Sequence, residues 1–131
     1  MSSASGSKEH AGKVAFVSEN LDYFFGAFMT VLRPRNSSFS SNYLFNFLCS
    51  GLYRKYIFRY LGGTNINNIG FNKIKSFLIP PPPLEKQTEI ADHIAQIRSR
   101  AKQLQQEAVE GLEQAKLEVE ALLLGDSVEP F

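Results

Sequence analysis

Four consecutive prolines, Pro80–Pro83, stand directly before the proline-free stretch 84–124. A residue that precedes proline is pushed out of the helical region, so Ile79 and the first three prolines are expected to be extended. Pro83 precedes a leucine, and proline is favoured at the first position of a helix, where its missing N–H group is not needed. The sequence therefore predicts a stiff spacer followed by one helix of about 62 Å that begins at or just after Pro83.

Apolar residues recur along this helix at steps of three and four residues, which is the spacing of a coiled-coil seam. One additional four-residue step near Gly111 is a stutter in the repeat. The ten seam positions are Ile90, Ile94, Ile97, Ala101, Leu104, Ala108, Leu112, Ala115, Val119 and Leu122. The rest of this short chain cannot cover so long a seam, which predicts a partner helix from another chain or from a part of the protein outside this sequence.

The region before the prolines is expected to mix strands and helices. The polar, Ser-rich residues 1–11 are expected to be a disordered tail. The β-rich segments 12–18 and 26–34 are predicted to be strands, and 75–80 is predicted to be a further short strand.

Segment 40–63 is predicted to be helical, with Ser40 or Ser41 as its N-cap and a division into two helices at residues 50–51. Gly62 and Gly63 are expected to end it. The fold class is therefore predicted to be α+β: a partial α/β domain over 12–83, the coiled-coil helix over 84–124, and a tail over 125–131 that starts with a capping glycine.

Positive charge concentrates before the prolines. Residues 1–83 hold nine Lys or Arg against three Asp or Glu, whereas residues 84–124 hold five against eight. A basic half favours an anionic partner such as nucleic acid. The alternative is ordinary variation in surface charge.

The compartment is expected to be the cytoplasm. Cys49 is the single cysteine, so no internal disulfide can form. The first ten residues lack the apolar core of a secretory signal. No apolar stretch approaches the roughly 18 residues that a membrane-spanning helix needs.

The sequence gives little material for catalysis. His10 lies in the predicted tail, and His93 lies beside the seam of the long helix. No Cys/His cluster has metal-ligand spacing, and no phosphate-binding glycine pattern is present. We therefore expect no catalytic residue, no metal and no cofactor.

Basic and aromatic residues interleave between positions 52 and 75. Lysine and arginine neutralise phosphates, and asparagine can pair with adenine edges. The candidate DNA-binding residues are Arg54, Lys55, Arg59, Thr64, Asn65, Asn67, Asn68, Lys73 and Lys75. The alternative is a solvated helix face followed by an ordinary Asn-rich turn.

The order of these features resembles the specificity subunit of Type I restriction-modification systems. The matching elements are "YLFNFLCSG" at 43–51, "GGTNINNI" at 62–69, and "IPPPPLEKQTEIADHI" at 79–94 followed by the long helix. Members of that family end a target-recognition domain with a motif of the form IPxPPLxEQxxIA. Lys86-Gln87 stands here where Glu-Gln is commonest.

The resemblance implies a non-catalytic subunit that reads half of a bipartite DNA site and recruits methyltransferase and endonuclease subunits. It also implies that residues 12–83 are part of a target-recognition domain, and that the long helix is a spacer that packs antiparallel to another. With one such helix in the sequence, we expect a homodimer.

This sequence departs from the family pattern because a recognition domain usually has about twice as many residues before its helix as are present here. The resemblance therefore leaves two alternatives open. One is a coiled-coil interaction module that does not itself bind DNA. The other is a fragment of a fused methyltransferase-specificity enzyme.

Overall fold

The computed structural model describes residues 1–34, 38–61 and 67–125. Its elements are β1 (Ala4–Ser5), α1 (Ser41–Leu48), α2 (Gly51–Tyr60), β2 (Asn67–Asn68), α3 (Phe71–Lys75) and α4 (Leu84–Leu124). The chain divides into two compact units, Met1–Asp92 and His93–Phe131, which are described separately. The described residues are mostly helical, with one long C-terminal helix and much less strand than the predicted α+β fold contains.

Serine caps start both helices of the predicted helical segment. The Ser40 hydroxyl accepts a hydrogen bond from the Tyr43 N–H at 3.5 Å, and the Ser50 hydroxyl accepts from the Tyr53 N–H at 3.2 Å. Each cap satisfies a backbone donor that the first helical turn leaves without a partner. The predicted N-cap and the predicted division at residues 50–51 are confirmed. The glycine pair expected to end the segment lies outside the described residues.

A small apolar core holds the first unit together. Its buried residues are Ala11, Leu48, Tyr53, Ile57, Leu61, Ile69 and Ile74. They come from α1, α2, α3 and the residues that flank the two strands. Tyr53 and Ile57 project from α2 one turn apart and are fully buried, so α2 is the central element of this core.

The N-terminal residues are part of the first unit, where the sequence predicts a disordered tail. β1 pairs antiparallel with β2, with Ala4 opposite Asn68 and Ser5 opposite Asn67. Ala11 is fully buried in the core. The residues that order this segment lie far away along the chain, so its own polar composition gives no sign of them.

The strands predicted at 12–18 and 26–34 are wrong. Both segments lack regular structure, apart from an isolated bridge between Ser2 and Met29. A strand needs a regular ladder of backbone hydrogen bonds. Both segments bond the N-terminal residues at separate points, as in the Ser2 N–H to the Lys13 carbonyl and the Thr30 N–H to the Met1 carbonyl, and these bonds do not build a ladder. The exposed aromatic side chains of this region are Phe16, Tyr23, Phe24, Phe25 and Phe28. The strand predicted at 75–80 is also wrong, because Lys75 ends α3 and a turn follows.

The long helix has the predicted bounds. The Gln87 N–H donates to the Pro83 carbonyl at 3.0 Å, which starts α4 directly after the proline run. At the other end Gly125 has a φ of 84° and donates to the Leu122 carbonyl, as expected for a capping glycine. Among the described residues, no helix combines the length and the apolar character needed to cross a membrane.

Gly12 provides a test of this core. Its φ is +79°, and an added Cβ would lie 2.9 Å from Ile57 Cγ1. We expect Gly12→Ala to lower the free energy of unfolding by about 1–3 kcal/mol, because it adds backbone strain and overpacks the core. Urea unfolding measures the change. Gly51→Ala is the matched control, since a Cβ there meets no atom within 4 Å. Equal effects of the two substitutions would contradict the packing.

Candidate nucleic-acid interface

Aromatic rings pack the segment just after α3 against α2. The Phe77 ring, just after α3, lies with its centroid 5.8 Å from Tyr53, 6.2 Å from Tyr56 and 5.6 Å from Tyr60. Burial raises the pKa of Tyr53 to about 12, and its hydroxyl donates to the Gly12 carbonyl at 3.1 Å. Tyr53 is therefore a neutral core residue. The contacts of Phe77 bring the chain that follows α3 close to α2, and both helices carry basic residues.

Four of the predicted cations are exposed on these two helices. Lys55 and Arg59 are four residues apart in α2 and therefore share one face. Lys73 lies on α3 with its Nζ 5.6 Å from the Tyr60 ring centroid, so it reaches the last turn of α2. Lys75 lies over the Phe71 ring at 4.6 Å. These contacts position the alkyl stems of the two lysines and leave their side chains exposed.

Arg54 differs from the other predicted cations. Its guanidinium donates to the carbonyls of Ala11 at 2.7 Å, Glu9 at 3.2 Å and Lys8 at 3.3 Å. It also lies 4.7 Å from the Phe58 ring centroid. The planar fork of arginine suits this set of acceptors. Arg54 ties the N-terminal segment to α2, a structural task that its basic character alone does not reveal.

The polar candidates are only partly described. Thr64 and Asn65 lie outside the described residues. The backbone of Asn67 pairs with Ser5 in the small sheet, and Asn68 is exposed beside it, opposite Ala4. The structure therefore places one of the four predicted polar side chains at the surface of the first unit.

A buried glutamine in the first turn of α4 bonds both the proline run and the start of α1. Gln87 is 0% exposed. Its Oε1 accepts from the Ser40 N–H at 2.8 Å, and its Nε2 donates to the carbonyls of Ser38 at 2.7 Å and Pro82 at 2.8 Å. We call these three contacts the Gln87 clasp. Nearby, the Tyr43 hydroxyl donates to the Pro80 carbonyl at 2.8 Å.

Gln87 and Tyr43 are not among the residues predicted from the sequence. The signal for Gln87 is its position four residues before Ala91, because both residues then lie on the same face of the first turns of α4, within the first unit. A polar residue at such a position is expected to have buried hydrogen-bond partners. Tyr43 has no comparable signal, because its acceptor is a backbone carbonyl far along the chain.

Most of the predicted seam is exposed. Ile90 and Ile94 are partly buried, but every later seam residue is exposed, including Ile97 at 56% and Leu112 at 65%. Acidic and amide side chains surround the seam and pair along the helix, as in Gln106 with Glu110 at 2.7 Å. A continuous apolar stripe with a polar remainder is the pattern that coiled-coil pairing requires.

The described residues offer no metal centre, since no group of three or more His, Cys, Asp or Glu side chains lies close enough to hold an ion. His10 lies at the surface of the first unit, with its Nδ1 3.2 Å from the Lys13 Nζ. His93 is exposed on α4.

The family model described as "Type I restriction modification DNA specificity domain" matches residues 2–114 of this chain. That match spans α2 and α3 with their exposed cations, the Gln87 clasp and most of α4. The chain belongs to this family. The resemblance found in the sequence is thereby confirmed. No solved structure matches the chain at a significant level.

Three curated proteins, all specificity subunits, are similar in sequence to this chain. The chain is 41% identical over 91 residues to the Type I restriction enzyme EcoKI specificity subunit of Escherichia coli (strain K12), covering 70% of this chain and 19% of the relative. It is 37% identical over 107 residues to the StySPI specificity subunit of Salmonella potsdam, covering 79% and 23%. It is 34% identical over 88 residues to the putative MjaX specificity subunit of Methanocaldococcus jannaschii, covering 65% and 20%. The chain thus spans about a fifth of the length of the relatives it matches.

Arg54 and Lys55 give a matched test of structural and solvent-facing cations in this specificity domain. We expect Arg54→Ala to lower the free energy of unfolding by about 1.5–3 kcal/mol, because it removes charge-assisted hydrogen bonds to three carbonyls. Lys55→Ala, one residue away on an exposed side chain, should change it by less than about 0.5 kcal/mol. Urea unfolding at neutral pH measures both. A destabilisation by Lys55→Ala as large as that by Arg54→Ala would contradict this assignment.

Proposed function

We propose that this chain is the non-catalytic part of a Type I specificity subunit that contains the end of one target-recognition domain, over residues 12–83, and its spacer helix, over 84–124. It contributes to reading one half of a bipartite DNA site. The observation that carries the proposal is α4: its start is fixed in the first unit, while its seam beyond Ile94 is exposed. A helix of this kind joins one recognition domain to another through a partner helix.

The DNA contact falls to the four exposed cations, Lys55, Arg59, Lys73 and Lys75. They lie on two adjacent helices and are supported by aromatic rings. Lysine and arginine in such a cluster neutralise phosphates and fix the register of a protein on the duplex. Among the polar candidates, Asn68 is the described side chain at the surface, and with Thr64, Asn65 and Asn67 it is proposed to face base or sugar edges.

Charge along α4 favours antiparallel pairing with a second copy. Residues 98–102 contain three cations and no acid, whereas residues 107–120 contain five glutamates and one lysine. An antiparallel pair centred on the seam places the basic segment of each helix opposite the acidic segment of the other. A parallel pair places like charges side by side, which destabilises the dimer.

The seam predicts the oligomeric state. The double substitution Ile97→Asp and Leu104→Asp should convert the dimer into a monomer, because it places two carboxylates in the apolar interface. Sedimentation equilibrium measures the mass. The matched control is Ser99→Asp with Gln106→Asp, which adds the same charge at exposed positions away from the seam. A dimer mass that survives the seam substitutions would sink the coiled-coil proposal.

Salt dependence tests the DNA contact. Each neutralised phosphate contributes about −0.9 to the slope of log K against log salt, so replacing Lys55 and Arg59 by alanine should make that slope shallower by about 2. Fluorescence anisotropy with duplex DNA at several salt concentrations gives the slope. The control replaces Lys86 and Lys116, two exposed lysines paired with glutamates on α4, and should leave the slope unchanged.

A second candidate function rests on the exposed aromatic side chains between Phe16 and Phe28. A concentrated apolar surface is typical of protein–protein contact. On this alternative the chain is an interaction module that docks a methyltransferase or endonuclease subunit without reading DNA. Absence of DNA binding at low salt, together with an intact dimer, would favour it over the leading proposal.

A further inference from the structure

We propose that Gln87 is a positioning residue: its clasp fixes the first turn of α4 against α1 and so sets the direction in which the spacer helix extends. Proline has no backbone N–H group. Residues 80–83 carry four carbonyl acceptors and no N–H donor. The run therefore cannot bond its own carbonyls, and their donors are other residues or water.

Gln87 supplies two of these donors. Its backbone N–H bonds the Pro83 carbonyl at 3.0 Å, and its side-chain Nε2 bonds the Pro82 carbonyl at 2.8 Å. Its second amide hydrogen bonds the Ser38 carbonyl. One residue thus starts the helix, holds the end of the proline run and reaches the segment that leads into α1.

The acceptor side of the same amide reaches α1 itself. Gln87 Oε1 accepts from the backbone N–H of Ser40, the residue whose hydroxyl caps α1. Tyr43, in the first turn of α1, bonds the Pro80 carbonyl through its hydroxyl. The start of α1 is therefore tied to the first proline through Tyr43, and to the start of α4 through Ser40 and Gln87. Two separated ties resist rotation, which a single contact does not.

The consequence for DNA rests on the proposed function. If the helix spaces two recognition domains, any swing at its start is magnified along its length, and the gap between the two half-sites becomes uncertain. The prolines stiffen the run along its own direction. The Gln87 clasp supplies what they lack, a fixed angle between the run, α1 and α4.

The direct test needs no DNA. Cys49 is the single cysteine of the chain and is exposed, and Ser99→Cys adds a second label site on the exposed side of α4. Spin labels at both sites, in labelled chains diluted with unlabelled chains, report the intrachain distance by pulsed electron resonance. We expect Gln87→Ala to broaden the distance distribution while helical content by circular dichroism is unchanged. Gln106→Ala, which removes an exposed glutamine of the same helix, should leave the distribution narrow.

A second variant covers the case in which Gln87→Ala does not fold. In Gln87→Glu an ionised carboxylate faces two carbonyl oxygens, whereas the protonated acid can still donate one hydrogen bond. Burial and these oxygens raise the pKa of the new carboxyl, so its penalty grows as pH rises above about 4.3. The groups that the Gln87 side chain contacts, on Ser38, Ser40 and Pro82, do not ionise. The variant should therefore give a narrow distance distribution at acidic pH and a broad one at neutral pH, a reversible change absent from the parent chain.

Selection from a randomised duplex library separates this inference from the proposed function. The parent chain should enrich two half-sites at one fixed gap, and a folded Gln87 variant should enrich the same half-sites at mixed gaps. No enriched motif with the parent chain would contradict the DNA proposal and leave the spin-label result to decide on Gln87. An unchanged distance distribution in Gln87→Ala, or a pH-independent one in Gln87→Glu, would overturn the positioning role.

Discussion

The first unit depends on supplying hydrogen-bond donors to a run of four prolines that has none. Tyr43 bonds the Pro80 carbonyl, and Gln87 bonds the carbonyls of Pro82 and Pro83. Most of the run is exposed, and each of these hydrogen bonds contributes about 0.5–1.5 kcal/mol, so their main effect is to hold the run in one position against α1. The stiff run and its donors together form a joint. Stiffness comes from the prolines themselves, whereas direction comes from side chains that lie outside the run.

The parts of the fold that could be predicted from the sequence are those decided by neighbouring residues. Ser40 and Ser50 cap helices because a hydroxyl reaches the backbone N–H three residues on. The start and end of α4 follow from Pro83 and Gly125, whose backbone preferences are local. The apolar stripe along α4 follows from a repeat over ten positions, and its pairing with a partner helix stays a prediction. None of these predictions requires knowledge of the tertiary contacts that the element makes.

The predictions that failed depend on distant partners. Segments 12–18 and 26–34 have strand composition, but a strand also needs a continuous ladder of hydrogen bonds, and the described residues 1–4 bond these segments only at separate points. The N-terminal residues look disordered in isolation, yet β2 and the guanidinium of Arg54 order them. The same residue shows the limit for the candidate site. Arg54 and Lys55 are neighbours and both basic, and the positions of the Lys8, Glu9 and Ala11 carbonyls separate a structural tie from an exposed cation.

The exposed part of α4 links the proposed spacer role to the proposed dimer. Beyond Ile94 the helix has no buried residue among those described, so no core holds it in shape. Its side-chain pairs, such as Gln103 with Glu107 and Lys116 with Glu113, contribute only about 0.2–0.5 kcal/mol each. Most helical stability in proteins comes from packing an apolar face. Pairing through the seam would therefore both join two chains and hold each helix straight, and the spacer would reach its full stiffness only in the pair.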